Sequence, residues 1–186
     1  MNNRLTEQRL FLSKFLQSPR NIGSVLPSSR FLVQRMLQPV NWQQIETLVE
    51  LGAGTGVLTR ELERRVRPDC QVAIFERDPE LRSHLAQQFP RFRHYAKAEE
   101  LNIARQSWAP NQVDCILSSL PFTNFPPDQR SRILEEIFRS LKTGGTFVTY
   151  QYSLQLKREL SQYFRLRHLY FVPLNIPCAF VYVCQK

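Results

Sequence analysis

The chain has 186 residues, with 25 Lys and Arg against 16 Asp and Glu, a formal net charge of +9 and 42% hydrophobic residues. This length fits one domain, and the composition excludes a disordered chain, a collagen and a mucin-like stalk. No apolar run reaches the ~18 residues of a membrane-spanning helix, and no secretory signal pattern is present. We therefore expect a cytoplasmic protein that is either soluble or peripheral on the inner membrane face.

Residues 1–40 are predicted to form a helical arm that precedes the main domain at residues 41–186. On a helical wheel, at ~3.6 residues per turn, five apolar side chains share an arc of roughly 140°: Leu5, Phe11, Leu12, Phe15 and Leu16. A basic amphipathic helix of this kind lies in a lipid interface, or it packs on the sheet and covers the site. Ser28 and Ser29 are predicted to cap the second helix of the arm.

The positive charge is concentrated in the two flanks of the chain. Residues 1–40 carry six basic side chains and one acidic one, and residues 151–186 carry five and one. Between them, residues 41–150 carry 14 of each sign. Such flanks suit an anionic membrane surface or another polyanion, and a solvated basic surface without a partner is the alternative.

Strand and helix patterns alternate after the arm. Strands are predicted at residues 46–51, 71–76, 113–118, 146–152, 166–172 and 179–184, and helices at about 57–66, 78–89, 128–141 and 154–164. Asp78 followed by Pro79 predicts the cap of one helix, while Gly144 and Gly145 predict the end of another before the next strand. The alternation is typical of a doubly wound, mostly parallel α/β sheet. The last two strands, which have no helix between them, are predicted to be an antiparallel pair at its edge.

The pattern of cysteines and histidines does not indicate a metal site. Cys70, Cys115, Cys178 and Cys184 form no C-x-x-C pair, and the three histidines are isolated from one another. We therefore expect reduced thiols and no metal.

A glycine-rich turn follows the first predicted strand. It runs from Glu50 through Gly52, Gly54 and Gly56 into a helix, whose first amides suit a polar or anionic group. The dinucleotide fingerprint G-x-G-x-x-G places its third glycine one residue later, and an ordinary tight turn is the alternative. Glu76 ends the second strand twenty residues beyond Gly56, and an acid there accepts hydrogen bonds from ribose hydroxyls. The pattern therefore predicts a bound adenosyl group.

These residues, together with the run from Ser118 to Phe122, resemble the class I S-adenosylmethionine-dependent methyltransferases. The resemblance covers about residues 45–186. It implies a seven-stranded sheet with an antiparallel last strand, and S-adenosylmethionine as the cofactor. It also implies a set of cofactor-binding residues: Glu50, Gly52, Gly54, Gly56, Glu76 and its neighbour Arg77. Family members often place an acid near the adenine after the third strand; Lys97 stands there, so we expect Ala98 or Glu99 to take its place.

The sequence Ser119-Leu120-Pro121-Phe122 resembles the Asn-Leu-Pro-Tyr loop of amino-methylating enzymes, which implies that these four residues are catalytic. Positive charge grows on an amine as it attacks a methyl group, and backbone carbonyls or an aromatic face such as that of Phe122 stabilise such charge. A loop that is simply packed is the alternative. Tyr150 and Tyr152, after the fifth strand, are candidates for a general base.

A narrower resemblance, to bacterial phospholipid N-methyltransferases, spans nearly the whole chain. Its segments are Gly23 to Ser29, Ser119 to Pro121, Phe125 to Pro127, and Asn175 to Tyr182. It implies methylation of the phosphatidylethanolamine headgroup amine, with an anionic membrane surface and the phospholipid substrate as partners. Two alternatives stay open: an rRNA adenine N6-methyltransferase, and a non-catalytic membrane or RNA adaptor that keeps the cofactor pocket.

Overall fold

The computed structural model describes residues 28–186. The predicted first helix of the arm lies outside these residues. In the described part of the chain, seven strands form one sheet: β1 Thr47–Leu51, β2 Gln71–Phe75, β3 Arg93–Tyr95, β4 Val113–Ser118, β5 Leu141–Gln151, β6 Arg165–Val172 and β7 Ala179–Gln185.

The strand order is β3-β2-β1-β4-β5-β7-β6. Strands β1 to β5 are parallel to one another, while β7 runs antiparallel to both β5 and β6. The predicted doubly wound, mostly parallel sheet with an antiparallel pair at its edge is therefore confirmed. The order reverses between β1 and β4, and ligands of such sheets bind at the carboxyl ends of the strands beside that point.

Helices cover both faces of the sheet. They are α1 Arg30–Leu37, α2 Val57–Arg65, α3 Pro79–Gln88, α4 Leu101–Arg105, α5 Pro127–Ser140 and α6 Leu156–Tyr163, with short 3₁₀ turns at Ala98–Glu100 and Phe122–Asn124. One core packs α1, α2 and α3 against the sheet, and the other packs α4, α5 and α6. Because both faces are covered, central strands such as β1 are buried at almost every position.

Helix α1, which corresponds to the predicted second helix of the arm, packs against the sheet. Its side chains Leu32, Val33, Met36 and Leu37 are buried in the first core. Ser29 caps it, since the Ser29 hydroxyl accepts a hydrogen bond from the Leu32 amide at 3.2 Å. The predicted serine cap is therefore confirmed, while the boundary at residue 40 stays a prediction. Within residues 28–186 no helix has the length and apolarity needed to cross a membrane.

The junction between α5 and β5 differs from the prediction. The helix ends at Ser140 and the strand begins at Leu141, so the two glycines lie inside the strand. Val113 of β4 pairs with Leu141 of β5, and Cys115 pairs with Thr146. The strand β5 therefore advances five residues where β4 advances two. Gly144 has a φ of +79°, and a Cβ on Gly145 would lie 2.8 Å from the Lys142 carbonyl oxygen. The glycines therefore allow an irregular bulge rather than ending the helix.

Candidate active site

The loops predicted to bind the cofactor and the acceptor meet at the carboxyl edge of the sheet. The Gly52 amide donates to the Phe75 carbonyl at 2.8 Å, which joins the end of β1 to that of β2. The Ser119 amide donates to the Leu51 carbonyl, also at 2.8 Å, which joins the end of β4 to that of β1. The glycine turn, Glu76 and the loop at residues 119–122 therefore surround the position where the strand order reverses.

The three glycines of the turn all have a positive φ, but they differ in what a side chain at each position would contact. A Cβ on Gly52 would lie 3.0 Å from Cδ2 of Leu120, and one on Gly56 would lie 2.7 Å from Cδ2 of Leu85. Those two glycines allow close packing inside the protein. A Cβ on Gly54 would meet no atom within 4 Å. The backbone at Gly54 therefore faces open space, as a position approached by a ligand requires.

Glu76 ties the glycine turn to the start of α3. Its Oε2 accepts a hydrogen bond from the Gly54 amide at 2.7 Å, and its Oε1 accepts one from the Asp78 amide at 2.8 Å. Burial raises the pKa of this carboxyl, and the two amide hydrogen bonds oppose that rise. A carboxylate has about four lone-pair sites, so Glu76 keeps capacity for the hydroxyls of a ribose. The adjacent Arg77 is exposed.

Glu50 is fully buried beside the turn. Its Oε2 accepts a 2.7 Å hydrogen bond from the Thr59 hydroxyl, whereas its Oε1 has no partner within residues 28–186. Burial raises the pKa of Glu50 to about 8, against the opposing effect of the Thr59 bond and with a small contribution from Glu76. Glu50 is therefore protonated near neutral pH, and its Oε1 is a buried polar atom without a partner among the described residues.

The segment after β3 contains the residues that are predicted to contact the adenine. Ala98 is buried, and Oε1 of Glu99 accepts a 2.8 Å hydrogen bond from the Gln129 side chain on α5. Lys97 pairs with Glu100 at 2.9 Å, and both side chains are largely exposed. Lys97 therefore does not replace the family's acid in the cleft, and the adenine contact of Ala98 or Glu99 stays a prediction.

The loop after β4 is held by its backbone. The Leu120 carbonyl accepts a hydrogen bond from the buried Gln151 side chain at 3.0 Å and another from the Phe122 amide at 2.9 Å. Within residues 28–186 the Ser119 carbonyl accepts none. Ser119, Leu120 and Pro121 are half-buried, so the Ser119 carbonyl is a candidate acceptor for a ligand.

The comparison with known proteins decides the family. A methyltransferase domain model matches residues 48–145, more than half of the chain. The chain belongs to the S-adenosylmethionine-dependent methyltransferases. Ornithine lipid N-methyltransferase from Singulisphaera acidiphila is 31% identical over 182 residues, which are 95% of this chain and 94% of that relative.

Solved structures of methyltransferases share the fold. The N-methyltransferase NodS from Bradyrhizobium japonicum, in complex with S-adenosylhomocysteine, matches with a TM-score of 0.69 and 12% identity over 95% of this chain and 98% of NodS. The 1,6-didemethyltoxoflavin-N1-methyltransferase of Burkholderia thailandensis, with bound S-adenosylhomocysteine, matches with a TM-score of 0.69 and 16% identity. That match covers 100% of this chain and 91% of the Burkholderia chain. At such identities the likeness shows the fold.

The expected enzyme class and cofactor are confirmed: this is an S-adenosylmethionine-dependent N-methyltransferase. Two observations on its own residues fit that cofactor. The space above Gly54 admits a ligand against the backbone, and the unpartnered Oε1 of Glu50 offers a buried polar contact. The predicted roles of the individual cofactor-binding residues stay predictions. Within the described part of the methyltransferase, no cluster of three or more His, Cys, Asp or Glu could hold a metal.

The packing of Phe122 in the methyltransferase is that of a core residue. Its side chain is fully buried, and its ring contacts those of Phe125 and Phe147 edge-on, at centroid distances of 6.2 and 6.4 Å. A cation–π contact needs an open ring face, and Phe122 has none in this packing. The structure therefore offers no support for the aromatic role predicted for Phe122, because the 3₁₀ turn at residues 122–124 directs this ring into the second core.

Tyr150 lies near the end of β5, and Tyr152 directly follows the strand. The rings of Tyr150 and Tyr152 make an edge contact at 5.7 Å, and the Tyr150 hydroxyl lies 3.4 Å from that of Ser28. Burial, and secondarily Tyr152, raises the pKa of Tyr150 well above its ordinary value. Tyr150 therefore holds its proton more tightly than a free tyrosine, which opposes its predicted use as a general base.

Sequence reasoning missed two residues that shape the methyltransferase site. Gln151 holds the Leu120 carbonyl, and Asn175 accepts the Ser29 amide at 3.0 Å through its side-chain oxygen. Gln151 could have been noticed because it is a polar residue at the carboxyl end of a buried parallel strand. Asn175 carried no comparable signal beyond its place in the resemblance.

Proposed function

We propose that this enzyme transfers methyl groups to the primary amine of a lipid headgroup, with phosphatidylethanolamine as the substrate. One observation supports the lipid amine: the similarity to the ornithine lipid enzyme extends over 95% of the chain. The choice of phosphatidylethanolamine rests on the resemblance of the sequence to bacterial phospholipid N-methyltransferases. The methyltransferase domain model ends at residue 145 and begins at residue 48. The similarity therefore includes most of the two basic flanks, which lie outside the match to the methyltransferase domain model.

The bound cofactor supplies a methyl group activated on a sulfonium. The described residues would hold it between Gly54, Glu76 and the segment around Ala98, in the roles given above. A neutral amine would enter beside the loop after β4, where the Ser119 carbonyl would accept an N–H of the attacking nitrogen. Alignment of nitrogen and methyl contributes most of the rate, and acceptor oxygens stabilise the charge that grows on nitrogen.

Tyr150 would keep its proton throughout this reaction, since burial raises its pKa. The headgroup ammonium would therefore lose a proton to water before the neutral amine attacks, and the methylated nitrogen would carry the positive charge after transfer. The side chain of Gln151 would fix the loop by its bond to the Leu120 carbonyl. These residues position the acceptor rather than take part in proton transfer.

The enzyme would work as a peripheral protein on the cytoplasmic face of an anionic membrane. The support is electrostatic: eleven of the 25 basic residues lie in residues 1–40 and 151–186, against two acids. A basic segment is attracted to anionic lipid within about a Debye length, ~8–10 Å at ordinary salt.

The test uses the full chain with S-adenosylmethionine labelled in its methyl group. Separate reactions contain vesicles with phosphatidylethanolamine, vesicles with ornithine lipid, vesicles of phosphatidylcholine, or structured rRNA. We expect label in phosphatidylethanolamine and none in phosphatidylcholine, which has no free amine. Label confined to ornithine lipid would change the substrate, and label confined to RNA would replace the proposal with the rRNA alternative.

A further inference from the structure

Four large apolar side chains are exposed around the turn between β6 and β7. Phe31 is 39% exposed, Phe171 54%, Leu174 61% and Ile176 76%. We call these four residues the tip surface. Only two other large apolar side chains of residues 28–186, Ile103 and Leu154, are exposed to this degree. A cluster of exposed apolar side chains, unlike a scattered one, indicates an interaction site.

The tip surface lies at the same edge of the sheet as the cofactor site. Strand β6 ends where Val172 pairs with Ala179, and the start of β7 pairs with the end of β5 through Phe180 and Gln151. Gln151 in turn holds the loop after β4. At ~4.8 Å per strand, the end of β6 is about 14 Å from that of β4. A flat object that touches the tip surface therefore also faces the entrance of the site.

The chain holds these apolar residues outward. Asn175, between Leu174 and Ile176, is buried and donates from Nδ2 to the Pro177 carbonyl at 2.7 Å. Its Oδ1 accepts the Ser29 amide at 3.0 Å, which joins the turn to the start of α1. Phe31, Phe171 and Leu174 line one cleft between α1 and this turn. The exposure is therefore built into hydrogen-bonded structure.

The chain segments that form the tip surface carry charges of one sign. Residues 28–45 and 164–186, which contain the tip surface, include no Asp or Glu. The guanidinium of Arg30 lies over the Phe31 ring at 4.8 Å, and that of Arg35 lies over Tyr170 at 4.7 Å. An apolar centre with a cationic border is the complement of an anionic lipid interface. The basic residues 1–27 join the described structure at Ser28, beside this surface.

We infer that the tip surface inserts into the interfacial layer of an anionic bilayer and so sets the entrance of the site against the lipid headgroups. This inference rests on the proposed function, because it is a lipid substrate that makes such an orientation useful. It names a contact separate from the apolar arc predicted between Leu5 and Leu16 of the arm.

Cys178 provides a probe within the turn, since it is exposed while Cys70, Cys115 and Cys184 are buried. The full-length enzyme is labelled there with an environment-sensitive fluorophore and mixed with phosphatidylcholine vesicles with or without phosphatidylglycerol. We expect a blue shift of the emission, and quenching by spin labels placed near the headgroups, with the anionic vesicles. A control enzyme with Cys178→Ser and Ile103→Cys, labelled on α4 where Ile103 is 70% exposed, should show neither.

A second measurement compares Leu174→Ser/Ile176→Ser with the matched control Ile103→Ser. The double variant should lose at least tenfold in vesicle partitioning and keep its affinity for S-adenosylhomocysteine in solution, while the control should keep both.

Vesicle lipid that is methylated although the Cys178 probe stays in a polar environment would overturn this inference and leave the proposed function standing. A probe that is already blue-shifted without vesicles would overturn it in favour of cover by residues 1–27 or a second copy. A shift on vesicles without any methylated lipid would remove the proposed function alone.

Discussion

The Gly54 amide donates a 2.7 Å hydrogen bond to Oε2 of Glu76, a residue 22 positions later in the chain. This bond holds the turn after β1 against the end of β2, where the acid also accepts the Asp78 amide. One carboxylate thus orders both segments that are predicted to contact the ribose. Loss of the Glu76 carboxylate would therefore change the shape of the cleft and also remove the predicted contact with the ribose.

The first prediction follows from that double role. Glu76→Ala should weaken S-adenosylhomocysteine binding by more than tenfold, because a hydrogen bond to a charged group contributes about 1.5–3 kcal/mol. Glu76→Gln should bind nearly as weakly, since its NH₂ group would face a backbone N–H. Calorimetry measures both, with Lys157→Ala, at an exposed position outside the predicted cofactor-binding set, as control. Unchanged affinity in Glu76→Ala would contradict the assigned role.

The second prediction separates two glycines of the turn. Gly54→Ala and Gly56→Ala both place a side chain at positive φ, which costs roughly 1–2 kcal/mol. Gly56→Ala also drives a Cβ to 2.7 Å from buried Leu85, and overpacking adds about 1–3 kcal/mol. Thermal unfolding should therefore show the larger loss of stability in Gly56→Ala. Cofactor binding per folded molecule should instead fall most in Gly54→Ala.

The third prediction concerns the pH dependence of stability. Glu50 has an ordinary pKa of 4.5 when unfolded and about 8 when folded, so between these values the folded state binds the extra proton. The free energy of unfolding should then fall as pH rises from about 4.5 to 8, by an amount on the order of a few kcal/mol. Glu50→Gln cannot ionise and should flatten this decline. Urea unfolding at pH 5, 6.5 and 8 measures it, and parallel slopes in the two proteins would contradict the burial argument.

The pattern of the sequence was sufficient for elements whose causes are local. Asp78 accepts from the amides of Glu80 and Leu81, and this cap was predicted from an Asp-Pro pair alone. The bond between Gln151 and Leu120 joins residues 31 positions apart, and that between Asn175 and Ser29 spans 146 positions. Neither pair has a periodic signal. The catalytic role predicted for Phe122 comes from a resemblance over four consecutive residues, whereas the burial of Phe122 depends on Phe147 in another strand.

The fourth prediction tests the support beneath the acceptor loop. Gln151→Leu removes the donor to the Leu120 carbonyl and leaves the cofactor-binding segments intact. We expect kcat to fall about tenfold, because misplacement of the reacting groups is costly, while S-adenosylhomocysteine affinity stays within twofold. The exposed Gln155→Leu serves as the control. Equal losses of kcat and cofactor affinity in Gln151→Leu would show a general structural role instead.

The last prediction concerns the arm, whose residues 1–18 carry Arg4, Arg9 and Lys14 beside a predicted apolar arc. Each basic residue near an anionic surface contributes about 1 kcal/mol to the free energy of binding, and salt screens this contribution. Deletion of residues 1–18 should therefore reduce sedimentation with phosphatidylglycerol vesicles far more than it reduces cofactor binding. Raising salt from 50 to 500 mM should weaken vesicle binding by the full-length protein, and it should weaken vesicle binding by the truncated protein less.

Turnover of a micellar short-chain lipid should survive the deletion in part, because the loop at residues 119–122 is retained. Full-length protein that ignores anionic vesicles at low salt but binds structured RNA tightly would contradict the lipid assignment.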